Sequence, residues 1–128
     1  MAEFLLRQKL PVDSGYVIAS AGVNALIDRP ADQHVLDVLS VHGMDATAHR
    51  AQQINGELAT EFELILPVEQ GHQRWIEQQF PASVGRVQRI GRWRDTDIPD
   101  PYRRGRAAFD STYNLLNDCI DDWVERLS

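Results

Sequence analysis

At 128 residues, 43% hydrophobic and 25% charged, the chain has the length and mixture of one soluble globular domain able to bury its own core. Nothing in it reads as fibrous or disordered, and no apolar run approaches the length needed to span a bilayer. A formal net charge of −6 argues against a broad nucleic-acid face, which needs basic side chains to displace counterions from phosphates. Acidic Glu3 stands where a secretory signal is basic, so the expected compartment is the cytoplasm.

In chain order, residues 2–10 read as a helix ended by Pro11 and the turn Asp13-Ser14-Gly15, and residues 16–19 as a strand. A loop over residues 20–30 leads to Asp32, the expected N-cap of a helix carrying Val35, Leu36, Val38 and Leu39 and stopping at Gly43. A polar connection follows. Residues 62–66 read as a strand apolar on both faces and ended by Pro67, residues 69–80 as a helix, and residues 87–90 as a short strand. Residues 94–106 read as a polar loop, and residues 107–127 as a long helix with an apolar stripe through Phe109, Tyr113, Leu116, Ile120 and Trp123. The alternation predicts an α/β fold of three layers, a short parallel sheet flanked by helices, as one domain over residues 1–128. An α/β unit of this kind ordinarily opens on a strand whose turn feeds the first helix, whereas this sequence opens on the helix itself. Either a strand precedes Met1 or the domain is built differently.

Cys119 is the only cysteine, so no internal disulfide forms. It lies on the final helix among Asp118, Asp121 and Asp122, carboxylates that disfavour a thiolate, and it reads as buried filler rather than a nucleophile. Arg86, Arg89, Arg92, Arg94, Arg103, Arg104 and Arg106 gather in one stretch, either as a solvated surface or as a docking face for a phosphorylated or acidic partner. Within that stretch, Asp100 stands between Pro99 and Pro101, whose locked φ angles aim it. Such a carboxyl suits a general acid, or serves as a local cap in a proline-stiffened turn.

Asp100-Pro101-Tyr102 resembles the DPY motif of the low-molecular-weight protein tyrosine phosphatases, in the bacterial form associated with capsule and exopolysaccharide systems. Met1-Ala2-Glu3, Ser20-Ala21-Gly22, Pro30-Ala31-Asp32, His42-Gly43-Met44-Asp45, His49-Arg50-Ala51-Gln52-Gln53 and Gly91-Arg92-Trp93 resemble further segments of that family in the same order. The resemblance implies metal-free and cofactor-free hydrolysis of protein phosphotyrosine through a cysteinyl phosphate. It makes Asp100 the general acid, Tyr102 and Leu26 walls for the substrate ring, and Ser20 and His49 supports of the phosphate loop, although His49 also reads as an ordinary loop histidine. It implies a phosphotyrosine protein as partner, such as a bacterial tyrosine autokinase, with no nucleic acid and no membrane insertion.

The departure from the family is large. Its Cys-x-x-x-x-x-Arg loop, followed by Ser or Thr and Pro, does not occur in these 128 residues, and Cys119 has Glu125 at the arginine's spacing. The chain is therefore expected to lack the family's first central strand and nucleophile, and to be inactive as it stands. The strand edges so exposed are expected to close on each other or to pair between two chains. Gln52 and Ala19 stand where the family commonly pairs an arginine with an acid, so both ends of that pair are lost together. A non-catalytic binding domain is the alternative reading. An arsenate reductase of the same fold is a weaker one, because that chemistry needs further redox cysteines.

Overall fold

The computed structural model describes residues 1–11, 15–23, 27–101 and 104–127. Among the described residues, five helices follow one another: α1 (Ala2–Lys9), α2 (Gln33–Val41), α3 (Gly56–Glu61), α4 (Gln70–Gln79) and α5 (Arg106–Leu127). Single 3-10 turns occupy Pro81–Ser83 and Arg92–Arg94.

The helix signals act as expected. Asp32 caps α2 by accepting the backbone N–H of His34 at 2.8 Å, and the helix stops where Gly43 takes φ +81°. α3 lies inside the stretch read as a polar connection. Its signal was local: Asn55 accepts from the N–H of Leu58 at 2.9 Å, which starts a short helix in a sequence with little apolar periodicity.

α5 packs on α1 and α2 and on the turn that follows residues 87–90. Leu5, Leu39, Ile120 and Cys119 are fully buried, and Phe109, Leu116 and Trp123 nearly so. The indole Nε1 of Trp123 donates to the carbonyl of Ile90 at 2.8 Å, tying the C-terminal half of α5 to the opposite layer. Cys119 is filler, as its sequence surroundings indicate; burial is the main cause of its raised thiol pKa, with Asp122 and Asp118 adding to it against Arg94.

The expected strands require correction. Among the described residues, β-pairing is confined to isolated bridges: Gly22 with Gln53 and Ile65 with Val87 in parallel, and Pro30 with Arg50 antiparallel. The Ile65–Val87 pair is the remnant of the ladder expected between residues 62–66 and 87–90. Ile65 N donates to Arg86 O at 2.9 Å, Gln88 N to Ile65 O at 3.0 Å, and Ile90 N to Pro67 O at 2.8 Å. The next rung would need an N–H from Pro67, which has none, so the ladder ends there. Residues 16–19 are extended without a ladder, with Tyr16 49% and Val17 79% exposed. They are held by side chains instead: Arg7 Nη2 donates to Ile18 O at 2.7 Å, and Tyr16 Oη to Leu127 O at 2.9 Å.

Candidate functional site

The acid loop is anchored three residues before Asp100. The carboxylate of Asp97 accepts the first N–H of α4, from Gln70, at 3.0 Å, and the Arg89 guanidinium at 2.9 Å. Arg89 reaches Asp95 at 2.7 Å with its other nitrogen. The bond from Arg89 is the main cause of the lowered Asp97 pKa. Next in sequence, Ile98 is buried, and its N–H donates to Val68 O at 2.8 Å. The loop enters from the tight turn at Gly91, where an added Cβ would lie 2.1 Å from Thr96 O, so only glycine fits. Beyond this anchor Asp100 is exposed, between Pro99 and Pro101, and Arg104 N closes the loop on Pro101 O at 2.9 Å. Tyr102 and Arg103 lie outside the described residues.

Ser20 and His49 come together through a residue that the sequence reading passed over. Glu3, buried on α1, accepts from Ser20 Oγ at 2.6 Å and pairs with Arg7 at 2.7 Å, while His49 Nδ1 stands 4.0 Å from the same carboxylate. The imidazole of His49 also meets the Phe4 ring edge-on at 5.7 Å. The available signal was Glu3 and Arg7 at i,i+4 on an otherwise apolar helix face. Glu3, Phe4, Ser20 and His49 line a cleft of about 190 Å³ together with Arg29, Pro30 and Val35. Asp100 is not among its lining residues, and Leu26 lies outside the described residues. Gln52 donates from Nε2 to Ser20 O at 2.8 Å, so a neutral amide ties down the turn that carries Ser20.

The arginine stretch is less basic than its sequence suggests. Arg86 donates to the carbonyls of Ala59 and Phe62, at the end of α3. Arg89 is held by Asp95 and Asp97, Arg94 by Asp122 at 2.8 Å, and Arg106 by Asp110 at 3.1 Å. Of the remaining histidines, His42 stacks on Tyr113 with ring centroids 4.0 Å apart and His34 leans on Phe109, so both cover the α2–α5 contact. No group of three or more His, Cys, Asp or Glu able to hold a metal occurs among the described residues, and no helix there is long and apolar enough to cross a membrane.

Comparison with known proteins places this geometry. The sequence profile described as low molecular weight phosphotyrosine protein phosphatase matches residues 1–128. The chain is 39% identical over 127 residues to the probable low molecular weight protein-tyrosine-phosphatase EpsP of Ralstonia nicotianae, covering 99% of this chain and 86% of that one. It is 35% identical over 129 residues to Etp of Escherichia coli, covering 100% and 85%. Among solved structures, the tyrosine phosphatase Wzb from Escherichia coli K30 superposes with a TM-score of 0.92 at 38% identity, over 99% of this chain and 87% of that one. The YwlE arginine phosphatase of Geobacillus stearothermophilus superposes with a TM-score of 0.90 at 28% identity, over 98% and 82%. The matched profile and the α/β fold shared with these enzymes establish that the chain belongs to the low molecular weight phosphotyrosine protein phosphatase family.

Proposed function

We propose that residues 1–128 act as one phosphatase-like domain carrying the general-acid half of phosphotyrosine hydrolysis, and that by themselves they do not turn the substrate over. The observation that carries this reading is the acid loop: Asp97 and Ile98 fix its base, and two prolines bracket an exposed Asp100. A group fixed in position before its substrate arrives is what general-acid catalysis needs. Asp100 gives its proton to the tyrosine oxygen as the phosphorus–oxygen bond breaks, and then takes a proton from the water that cleaves the cysteinyl phosphate. The Glu3–Ser20–His49 cluster supports the turn on which the phosphate loop rests, and Tyr102 and Leu26 flank the substrate ring. The thiolate and the clamping arginine belong to a Cys-x-x-x-x-x-Arg loop that these residues do not contain.

Phosphotyrosine is favoured over phosphoarginine because identity is higher to the tyrosine phosphatases, 39% for EpsP against 28% for the arginine phosphatase, on a fold that serves both. A phosphotyrosine protein, such as a bacterial tyrosine autokinase in the cytoplasm, is the fitting partner. The exposure of Val17 in an extended segment also supports pairing between two chains through strand edges. A chain that sediments only as a monomer at high concentration would contradict that pairing.

The test is turnover of an aryl phosphate and a phosphotyrosine peptide by the 128-residue chain, with vanadate as inhibitor and Cys119→Ser beside it. No vanadate-sensitive turnover is expected from either protein. Turnover lost in Cys119→Ser would overturn the assignment of Cys119 as filler, and turnover that persists in it would show that another group completes the site.

A further inference from the structure

A second polar groove, of about 400 Å³, lies between α4 and residues 88–92, and Asp100 is not among its lining residues. Gln73, Arg74 and Glu77 form one wall, and Gln88, Arg89 and Arg92 the other. Its guanidiniums differ in how they are used. Arg89 is neutralised by two aspartates. Among the described residues, the Arg92 guanidinium donates to the neutral Gln88 Oε1, at 2.9 Å, and neither Arg92 nor Arg74 has an ion pair. Arg92 also extends the groove onto a neighbouring surface. Its guanidinium lies 4.8 Å from the centre of the Trp93 ring, and Arg126 of α5 lies 3.8 Å from the same ring, bonded to the main-chain carbonyl of Asp122. Trp93 is 41% exposed. Arg74, Arg92 and Arg126 therefore form a strip of cations without carboxylate partners among the described residues, crossed by a part-exposed indole, on a chain whose net charge is −6.

We infer that this strip is a docking surface for an acidic, extended segment of a protein partner, separate from the acid loop. Charge complementarity is the argument. Carboxylates spaced along a peptide match three separated guanidiniums, and an apolar side chain between them lies on Trp93. The edge itself does not recruit a strand, because Val87 O already accepts from Gln73 Nε2 at 3.4 Å and Arg89 O from Arg92 N at 3.1 Å, so recognition falls to side chains. Nucleic acid fits poorly: its closely spaced phosphates would meet Glu77 and the surrounding aspartates. Glu77, also in the lining, disfavours an acidic residue beside it. Because docking here needs no nucleophile, its outcome is independent of whether the acid-loop reading holds.

The test is fluorescence polarisation with a labelled twelve-residue peptide of alternating glutamate and serine, at low salt, on the 128-residue chain. Saturable binding that weakens about tenfold or more in Arg92→Glu and in Arg126→Glu, and several-fold in the milder Arg74→Gln, is the expected result. Glu77→Gln should tighten it, and Arg50→Glu, an exposed site outside the strip, should leave it within about twofold. Circular dichroism and melting temperature check that each variant stays folded. Equal losses in Arg50→Glu and Arg92→Glu, equal binding of a glutamine–serine peptide, absence of binding, or stronger binding to duplex DNA or anionic phospholipid vesicles would each overturn the inference.

Discussion

The segments 91–101 and 15–20 are both irregular backbone, yet they are held in opposite ways. The first is fastened by packing and paired charge: a glycine that admits no side chain, a buried Ile98, and an Asp97 shared between Arg89 and the start of α4. The second is held by side chains: Arg7 and Gln52 reach in to Ile18 O and Ser20 O, and its own Tyr16 reaches out to Leu127 O, while Val17 faces solvent. The segment leading to Asp100 is fixed from its own base, whereas the extended segment, outside any ladder among the described residues, is tied by solvent-accessible bonds that cost little to break.

The contrast can be broken from either end. Ile120→Ala, in the core beneath the acid-loop layer, should cost about 2–5 kcal/mol in chemical denaturation, because the cavity left by a fully buried side chain relaxes only in part. Gly91→Ala should cost about 1–3 kcal/mol as the turn shifts to free the 2.1 Å contact with Thr96 O, measured as a fall in melting temperature. Asp97→Asn should cost less than about 1 kcal/mol near neutral pH, since its ion pair is half exposed. The sign with pH follows from its lowered pKa. The carboxylate stabilises the fold above the unfolded value near 4 and ceases to do so as pH falls through the lower folded value, so wild type and Asp97→Asn should converge in strong acid. Val17→Ser should change stability by less than about 0.5 kcal/mol. A larger loss at Val17, growing with protein concentration, would sharpen the comparison by placing a second chain against residues 15–20.

Much of the helical layer is legible in the sequence because its signals are local: the Asp32 cap, the Gly43 stop, and the apolar stripe of α5 from Phe109 to Trp123. The strands were over-read because apolar alternation indicates extended backbone but not its neighbour. Pro67 removes one donor from the ladder, and residues 16–19 join no ladder among the described residues. At the candidate site, the pair of prolines around Asp100 was readable, but the anchor at Asp97 was not, since it depends on Arg89 and α4 meeting in space. Glu3 was missed for a similar reason: a carboxyl on a short apolar helix looks like surface until Ser20 and Arg7 close over it. The arginine stretch shows the reverse error, because sequence proximity counts charges while the fold cancels them, and the unpaired strip draws instead on Arg74 and Arg126 from distant helices.

The central proposal is that Asp100 is the general acid of a phosphatase site whose Cys-x-x-x-x-x-Arg loop is not contained in residues 1–128. The most direct measurement is aryl phosphate hydrolysis by a fusion in which a strand and a Cys-x-x-x-x-x-Arg-Ser-Pro loop are joined ahead of Met1, compared with its Asp100→Ala variant. The account predicts vanadate-sensitive turnover in the fusion and a loss of about 10²–10⁴-fold in the variant, largest for poor leaving groups that most need the proton. A folded fusion that stays inert, or turnover that Asp100→Ala leaves unchanged, would contradict it.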